Sequence, residues 1–244
     1  MAREGVNAAL QILSSFGKSH HLAIDVGAHE SETAAAVHAV GLSNMKVISV
    51  EPNTASFSRL VCNSEDLKNN NFEIEYLPVA IGSKTGTTDF FCTNQSAVSG
   101  LLQPFSSVSE RVPTGDHKII ERFDVQVITI DGLCQSHDID HIDLLKIDTE
   151  GFDLEVLKGA REAIERNSVG IILSEVFLSI TGKINVSLGI KLPTCIKSAI
   201  ISSVYLTPEQ LHKGDSTQVM GYGYLRRLVN ILVISDISRV QIQL

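Results

Sequence analysis

The sequence predicts an α/β fold with a central, mostly parallel sheet and helices on both of its faces. Short apolar segments typical of buried strands alternate with segments of helical periodicity. Three predicted strands, His21–Val26, Met45–Val50 and Ile142–Ile147, carry an acidic residue at or just beyond the carboxyl end. Because a helix separates consecutive strands in this pattern, right-handed crossovers and a parallel sheet are favoured.

Length and composition fit a single domain over residues 1–244. The 244 residues are 43% hydrophobic with a net charge of −8, which disfavours a nucleic-acid substrate. Neither a signal peptide nor an apolar run long enough for a membrane helix is visible, so we expect a cytoplasmic protein without a membrane anchor. The four cysteines form no Cys-x-x-Cys pair, which fits a reducing compartment. Nothing in the sequence indicates an oligomeric state.

The first third of the chain follows the α/β alternation closely. We expect a helix over residues 7–16, and a second helix that Ser31 caps and Gly41 ends. A third helix follows the second strand. The next strand is predicted over residues 72–81, interrupted by Pro78.

Residues 82–133 interrupt this alternation and are interpreted as a β insertion and loop. Gly82 and Gly86 predict a hairpin turn into a strand over residues 87–93, and residues 96–115 predict a loop over the site. Residues 177–224 are interpreted as a cap over a substrate pocket. Further strands are predicted over residues 123–130, 169–176 and 228–234.

Charged residues cluster where the strand Ile142–Ile147 ends. Side chains two apart in a strand point the same way, so Lys146, Asp148 and Glu150 share a face. Because an unpaired charge beside a core is costly, we expect these groups to pair or to face a ligand. Open α/β sheets bind ligands at this end of their strands. A purely structural ion-pair network is the alternative.

The turn after the first strand also suits a ligand. Gly27 and Ala28 allow close approach to the backbone, and the next helix offers free amide groups. A dinucleotide site needs Gly-x-Gly-x-x-Gly, but His29 and Glu32 occupy the second and third glycine positions. Acidic residues at this helix start also disfavour a pyrophosphate. A cationic or zwitterionic ligand with an adenosine part is therefore favoured over NAD(P) or FAD.

A carboxylate, Glu51, ends the second predicted strand. Such a group can accept hydrogen bonds from both hydroxyls of a ribose. An ordinary charged strand end is the alternative, but the nearby Asp25 and Gly27 favour ribose binding.

Six motifs stand in a fixed order along the chain. They are Asp25-Val26-Gly27-Ala28, Val50-Glu51-Pro52-Asn53, Ala80-Ile81-Gly82, Ile128-Thr129-Ile130-Asp131, Leu145-Lys146-Ile147-Asp148-Thr149-Glu150-Gly151 and Val156-Leu157-Lys158-Gly159-Ala160. Together they resemble the FkbM family of S-adenosylmethionine-dependent methyltransferases, from about residue 22 to 176. The resemblance implies a Rossmann-like class I methyltransferase fold, with a seven-stranded sheet whose last strand is antiparallel. His29 and the pair Phe152-Asp153 depart from the usual family pattern.

The resemblance also implies which residues bind S-adenosylmethionine. Asp25, Gly27 and Ala28 would follow the methionine part, Glu51 would hold the ribose, and Asp148 would face the amino or sulfonium end. The cofactor-binding set predicted in this way comprises Asp25, Val26, Gly27, Ala28, His29, Ser31, Glu51, Pro52, Asn53, Val79, Ala80 and Asp148.

Methyl transfer to a hydroxyl requires a base that takes its proton. The candidates are Glu150, Asp148 and His29, and we favour Glu150 because its turn faces the crevice. We expect the acceptor to be a hydroxyl on a sugar or other small natural product. A nitrogen or carboxyl methyltransferase stays open, as does a non-catalytic module that binds an adenosine ligand or a protein partner. Asp148 with Glu150 or Glu175 could hold Mg²⁺, but no third clustered ligand is visible, so we predict no metal.

Overall fold

The computed structural model describes residues 3–15, 20–30, 32–42, 44–65, 67, 73–103, 118–174, 200–204 and 229–234. Helices and strands alternate through most of these residues. The helices are α1 (Arg3–Ser15), α2 (Glu32–Val40), α3 (Thr54–Asn63), α4 (Ile130–Ser136), α5 (Asp153–Gly159) and α6 (Arg161–Glu165). The strands are β1 (His21–Val26), β2 (Met45–Val50), β3 (Ile74–Leu77), β4 (Ala80–Ile81), β5 (Gly86–Thr93), β6 (Ile119–Ile128), β7 (Ile142–Ile147), β8 (Val169–Ser174), β9 (Ile200–Val204) and β10 (Val229–Ile234).

A seven-stranded sheet forms the centre of the fold, with the strand order β3-β2-β1-β7-β8-β10-β9. Strands β3, β2, β1, β7 and β8 run parallel. Strand β10 pairs antiparallel with both of its neighbours. The prediction of a mostly parallel sheet with an antiparallel last strand is therefore confirmed.

The apolar runs of the sequence become strands that are buried on both faces. All six residues of β7 are buried, as expected for a central parallel strand between two helical layers. Because alternate side chains point to opposite faces, Leu144 packs with Leu10 and Val37 on one side, whereas Leu145 packs with Leu133 and Val156 on the other. Helices α1 and α2 thus cover one face, and α4 and α5 cover the opposite face.

Strand register sets the position of the functional residues. Val26 at the end of β1 is paired with Val50 of β2 and with Ile147 of β7. The three strands therefore end at one level. In consequence, the residues that follow them emerge side by side at one edge of the sheet.

Residues 72–81 contain two strands where one was predicted. Strand β3 joins the large sheet, whereas β4 pairs parallel with β6 in a separate three-stranded sheet of order β4-β6-β5. Pro78 lies between them and has no N–H group with which to continue the pairing. The predicted hairpin turn between Gly82 and Gly86 is also wrong, because β4 and β5 lie on opposite sides of β6.

Two further boundaries differ from the sequence prediction. The strand predicted over residues 123–130 starts earlier, at Ile119, and ends at Ile128. Ile130 begins α4, because the hydroxyl of Thr129 accepts a hydrogen bond from the Gly132 N–H at 2.9 Å and caps the helix. Strand β9 lies inside residues 177–224, so that part of the region interpreted as a cap belongs to the central sheet. The remainder of that region lies outside the described residues.

A packing junction forms where Gly82, Thr129, Asp131 and Gly159 meet. A Cβ atom on Gly159 would lie 2.1 Å from the Gly82 carbonyl oxygen and 3.4 Å from the Cβ of Thr129, so only glycine fits there. The Asp131 carboxylate accepts the N–H groups of Glu162 and Ala163, both at 2.9 Å, at the start of α6. These motif residues join helices to strands and do not line the cavity described below.

Candidate functional site

A cavity of about 260 Å³ opens at the carboxyl ends of β1, β2 and β7. Its lining carries four carboxylates, those of Glu32, Glu51, Asp148 and Glu150, against one lysine, Lys146. The excess of negative charge favours a ligand with a positive centre.

The turn after β1 packs directly on the turn after β7. Gly27 has a φ of 77°, and a Cβ atom there would lie 1.9 Å from the carbonyl oxygen of Asp148. The N–H groups of Gly27 and Ala28 both donate to the carbonyl of Val50, at 3.0 and 3.1 Å. Glycine is therefore required at position 27 by the contact between two turns, in addition to any contact with a ligand.

The carboxylate of Glu51 is held in place by two backbone groups. Its Oε2 accepts the N–H of His29 at 2.9 Å, and its Oε1 accepts the N–H of Asn53 at 2.8 Å. The residue is 6% exposed. Burial raises the pKa of Glu51 above its ordinary value, although these two hydrogen bonds act in the opposite direction. Asn53 in turn caps α3, where its side chain accepts from Ala55 and Ser56.

Lys146 pairs with acids from two neighbouring strands. Its Nζ lies 2.8 Å from Oδ1 of Asp25 and 3.8 Å from Oδ2 of Asp148, and it donates to the Gly27 carbonyl at 3.3 Å. Burial lowers the pKa of Lys146, but the charges of Asp25 and Asp148 outweigh it, so the pKa is raised. Lys146 is therefore held as a charged ammonium group. The sequence correctly indicated a charge network here but did not identify Asp25 as the partner in closest contact.

Asp153 holds the turn that follows β7. Its carboxylate accepts hydrogen bonds from the hydroxyls of Thr149, at 2.8 Å, and Ser174, at 3.0 Å. Burial raises the pKa of Asp153, and the two hydroxyl groups oppose that shift. Glu150 in this turn has a φ of 53°, a left-handed conformation that costs energy for a side chain of this kind. The turn thus presents Glu150 to the cavity from a fixed backbone.

His29, like Glu150, is a non-glycine residue of the cavity lining with a left-handed backbone; its φ is 49°. Its Nε2 is hydrogen-bonded to the hydroxyl of Ser96 at 3.1 Å. Ser96 belongs to the connection after β5, and this connection supplies one wall of the cavity.

The structure brings most of the predicted site residues to this cavity. The predicted residues that line it are Val26, Gly27, Ala28, His29, Glu51, Pro52, Val79, Ala80, Asp148 and Glu150. Asp25 is 1% exposed and lies behind the lining in its contact with Lys146. Asn53 supports Glu51 and α3 and is not part of the lining either. Ser31 lies outside the described residues.

Other lining residues were not predicted as site residues. Phe90 contributes from the small sheet, and Thr33 and Ala36 contribute from α2. Ser96, Ser99 and Gly100 were part of the loop predicted over the site, but no residue of that loop was assigned a role. No periodicity marks such a connection, so its Ser- and Gly-rich composition was the available signal.

The described residues contain neither a cluster of metal ligands nor a membrane-spanning helix. No group of three or more His, Cys, Asp or Glu side chains is placed to hold a metal ion there. Among those same residues, no helix has the length and apolar character needed to span a bilayer.

Comparison with known proteins identifies a family. The model of the methyltransferase FkbM domain matches residues 25–190, which is more than half of the chain. No curated protein matches the chain at a significant level.

Solved structures of methyltransferases are similar to this chain. The methyltransferase FkbM from Methylobacillus flagellatus KT is 22% identical over 65% of this chain and 33% of its own, with a TM-score of 0.44. The METTL16 methyltransferase domain is 8% identical over 94% of this chain and 65% of its own, with a TM-score of 0.51. TrmK of M. capricolum, in complex with S-adenosyl-homocysteine, is 9% identical over 95% of this chain and 67% of its own, with a TM-score of 0.43.

This chain covers 33%, 65% and 67% of the length of those three structures. The likeness to the METTL16 domain concerns the fold alone, which is the class I methyltransferase fold predicted from the sequence.

Proposed function

Because this chain belongs to the FkbM family of methyltransferases, we propose that it transfers a methyl group from S-adenosylmethionine to a hydroxyl group of a sugar or another small natural product. The observation that carries this proposal is the arrangement of the strand ends. Gly27, Glu51 and Asp148 follow three adjacent strands and line one cavity. In open α/β sheets, this edge is where ligands bind.

The lining residues fit S-adenosylmethionine chemically. Each carboxylate oxygen of Glu51 accepts one backbone N–H and retains a lone pair for a ribose hydroxyl. Pro52, Val79 and Ala80 offer apolar surface for an adenine ring. The acidic lining, with Asp148 next to the Gly27 turn, suits a sulfonium and an ammonium group.

The chemistry of the proposed reaction depends mostly on positioning. When bound, S-adenosylmethionine supplies a methyl group on a positively charged sulfur, which an acceptor oxygen attacks in line. The residues of the chain align the acceptor with that methyl group and exclude water, and this alignment accounts for most of the rate enhancement. Asp148 provides negative charge to the cavity lining, and its Oδ2 lies 3.8 Å from Nζ of Lys146.

We assign proton removal from the acceptor hydroxyl to Glu150. Its side chain is half-buried, lines the cavity and stands on the turn that Asp153 holds. The ring of His29 is engaged with Ser96, so a positioning role suits it better than proton transfer.

The first test is calorimetric titration with S-adenosylmethionine, S-adenosylhomocysteine and, as a control, NAD. We expect dissociation constants on the order of micromolar for both adenosyl ligands and no binding of NAD. Glu51→Ala should bind both adenosyl ligands at least about tenfold more weakly. Absence of binding by either adenosyl ligand would overturn the proposal.

The second test addresses catalysis. With methyl-labelled cofactor and a panel of hydroxylated acceptors, mass spectrometry detects any product that gains one methyl group. We expect Glu150→Gln to lower kcat by about a hundredfold while the cofactor dissociation constant stays within about twofold. Glu165→Gln, at an exposed ion pair with Arg161, is the matched control. A large loss of cofactor affinity in Glu150→Gln would instead place Glu150 against the cofactor.

A further inference from the structure

One wall of the cavity is a short connection that follows β5. We call residues 94–101 the cover segment. Five of its residues line the cavity, namely Ser96, Ala97, Ser99, Gly100 and Leu101. The segment passes from the small sheet across to the turns that follow β1 and β7.

The cover segment is firmly attached to the small sheet. Phe91 and Gly100 exchange two backbone hydrogen bonds, of 2.9 and 3.1 Å. The hydroxyl of Ser99 accepts the N–H of Thr93 at 3.0 Å. A single turn of 3₁₀ helix over Ser96–Val98 shapes the middle of the segment. This side of the segment is therefore a built part of the fold.

Among the described residues, fewer hydrogen bonds join the cover segment to the turns after β1 and β7 than to the small sheet. Near Gly100, the Thr149 carbonyl and the Cβ of Glu150 lie 3.6 and 3.8 Å from where a Cβ atom would be, which is ordinary van der Waals distance. Toward the turn after β1, the attachment is the hydrogen bond of 3.1 Å between Ser96 Oγ and His29 Nε2. Among the described residues, this is the hydrogen bond that joins the cover segment to that turn.

The same histidine is linked to the proposed ribose contact. The backbone N–H of His29 donates to the Glu51 carboxylate at 2.9 Å, and the backbone of His29 has a left-handed φ of 49°. Backbone conformations of this kind persist where the surroundings hold them, and they concentrate at ligand clamps. Ser96, His29 and Glu51 therefore form one connected series from the cover to the interior of the cavity.

We propose that the His29–Ser96 hydrogen bond is a clasp that holds the cover segment over a bound adenosyl ligand and sets how long that ligand remains. Ser96 is thus a positioning residue, acting through His29. The inference rests on the proposed function, because it requires an adenosyl ligand in this cavity. A hydrogen bond of this type contributes about 1 kcal/mol, which corresponds to roughly a fivefold change in a dissociation rate.

The test measures dissociation of S-adenosylhomocysteine from the immobilised full chain by surface plasmon resonance. Ser96→Ala should release the ligand about fivefold faster, whereas Ser96→Thr keeps the hydroxyl and should behave as the parent chain. Ser58→Ala is the matched control, because its hydroxyl donates to the Thr54 carbonyl within α3 and Ser58 does not line the cavity. The midpoint of thermal unfolding should stay within about 4 °C for all four proteins, which is the shift that a loss of about 1 kcal/mol causes in a domain of this size.

A double-mutant cycle identifies the partner of Ser96. Asn tolerates a left-handed backbone but is too short to reach Ser96, so His29→Asn should also release the ligand about fivefold faster. Combining it with Ser96→Ala should add nothing further. If Ser96→Ala binds the ligand tightly and releases it at an unchanged rate, the clasp is refuted and the proposed function stands. Additive effects in the double variant would have the same meaning. Failure of the parent chain to bind S-adenosylhomocysteine would refute the proposed function and the clasp together.

Discussion

Two regions of the molecule carry the residues that resemble the family, and they differ in what those residues do. The cavity edge is formed by Asp25, Gly27, Glu51, Lys146 and Asp148, and its charged groups are buried or half-buried beside the cavity. The packing junction is formed by Gly82, Thr129, Asp131 and Gly159. There, Gly82 and Gly159 lie in close contact, and Thr129 and Asp131 cap the helices α4 and α6. The first region surrounds the cavity proposed to bind the ligand, whereas the second joins elements away from that cavity.

The difference shows how a motif should be interpreted. Asp131 and Asp148 are both acids within motifs, yet Asp131 satisfies the first N–H groups of α6 while Asp148 faces the cavity. Similarity at Asp131 therefore indicates a shared fold. The residues that bear on the proposed chemistry lie at the cavity edge.

The largest effect is expected from Lys146→Met at the cavity edge. This change leaves the carboxylate of Asp25, which is 1% exposed, without the partner at 2.8 Å. Removing one member of a buried pair costs about 3–5 kcal/mol, because the remaining charge stays buried and unpaired. Urea denaturation of the parent chain and the variant measures the difference in the free energy of unfolding.

A second variant separates this cause from a packing effect. Asp25→Asn combined with Lys146→Met removes both charges and should recover a large part of the lost stability. If the double variant is as unstable as Lys146→Met alone, the unpaired charge of Asp25 is not the cause.

At the packing junction, Gly159→Ala should cost about 1–3 kcal/mol, because the new Cβ would lie 2.1 Å from the Gly82 carbonyl oxygen. Gly86→Ala is the matched control, since a Cβ there has open space around it. No junction residue lines the cavity, so the affinity of folded Gly159→Ala for S-adenosylhomocysteine should stay within about twofold. Thermal unfolding measures the loss of stability, and calorimetry measures the affinity. If Gly159→Ala is as stable as the parent chain, the predicted clash with Gly82 is wrong.

The cavity edge could be predicted from the sequence because short apolar runs fix where strands end. Glu51 and Asp148 follow such runs directly, and parallel strands in register bring their ends together. The contact between Asp25 and Lys146 joins residues far apart in sequence, and it depends on β1 and β7 being neighbours. Local patterns do not contain that information.

The small sheet and the cover segment were harder to predict for a different reason. Pro78 correctly indicated a break, but nothing local shows that β4 leaves the large sheet and pairs with β6. The contact of Ser96 with His29 connects a loop without periodicity to a turn 67 positions away. Such contacts are decided by tertiary packing, which overrides local preference.

The smallest effect is a pH dependence that belongs to the cavity edge. Burial raises the pKa of Glu51 above its ordinary 4.5, so the folded chain binds a proton there more readily than the unfolded chain. The contribution of Glu51 to stability therefore decreases as the pH rises from 4.5 through the folded pKa. Ligand affinity should change in the opposite sense, because protonation removes an acceptor for the ribose hydroxyls.

The pH dependence of ligand affinity distinguishes Glu51 from Asp153, the other buried acid whose pKa is raised. Asp153 adds to the pH dependence of stability in the same direction, but it does not line the cavity. Calorimetry with S-adenosylhomocysteine from pH 7 toward pH 5 should therefore report a loss of affinity that is absent or much weaker in Glu51→Gln. An identical loss in Glu51→Gln would assign the titration to another group, and the cavity edge would then owe its affinity to contacts other than this carboxylate.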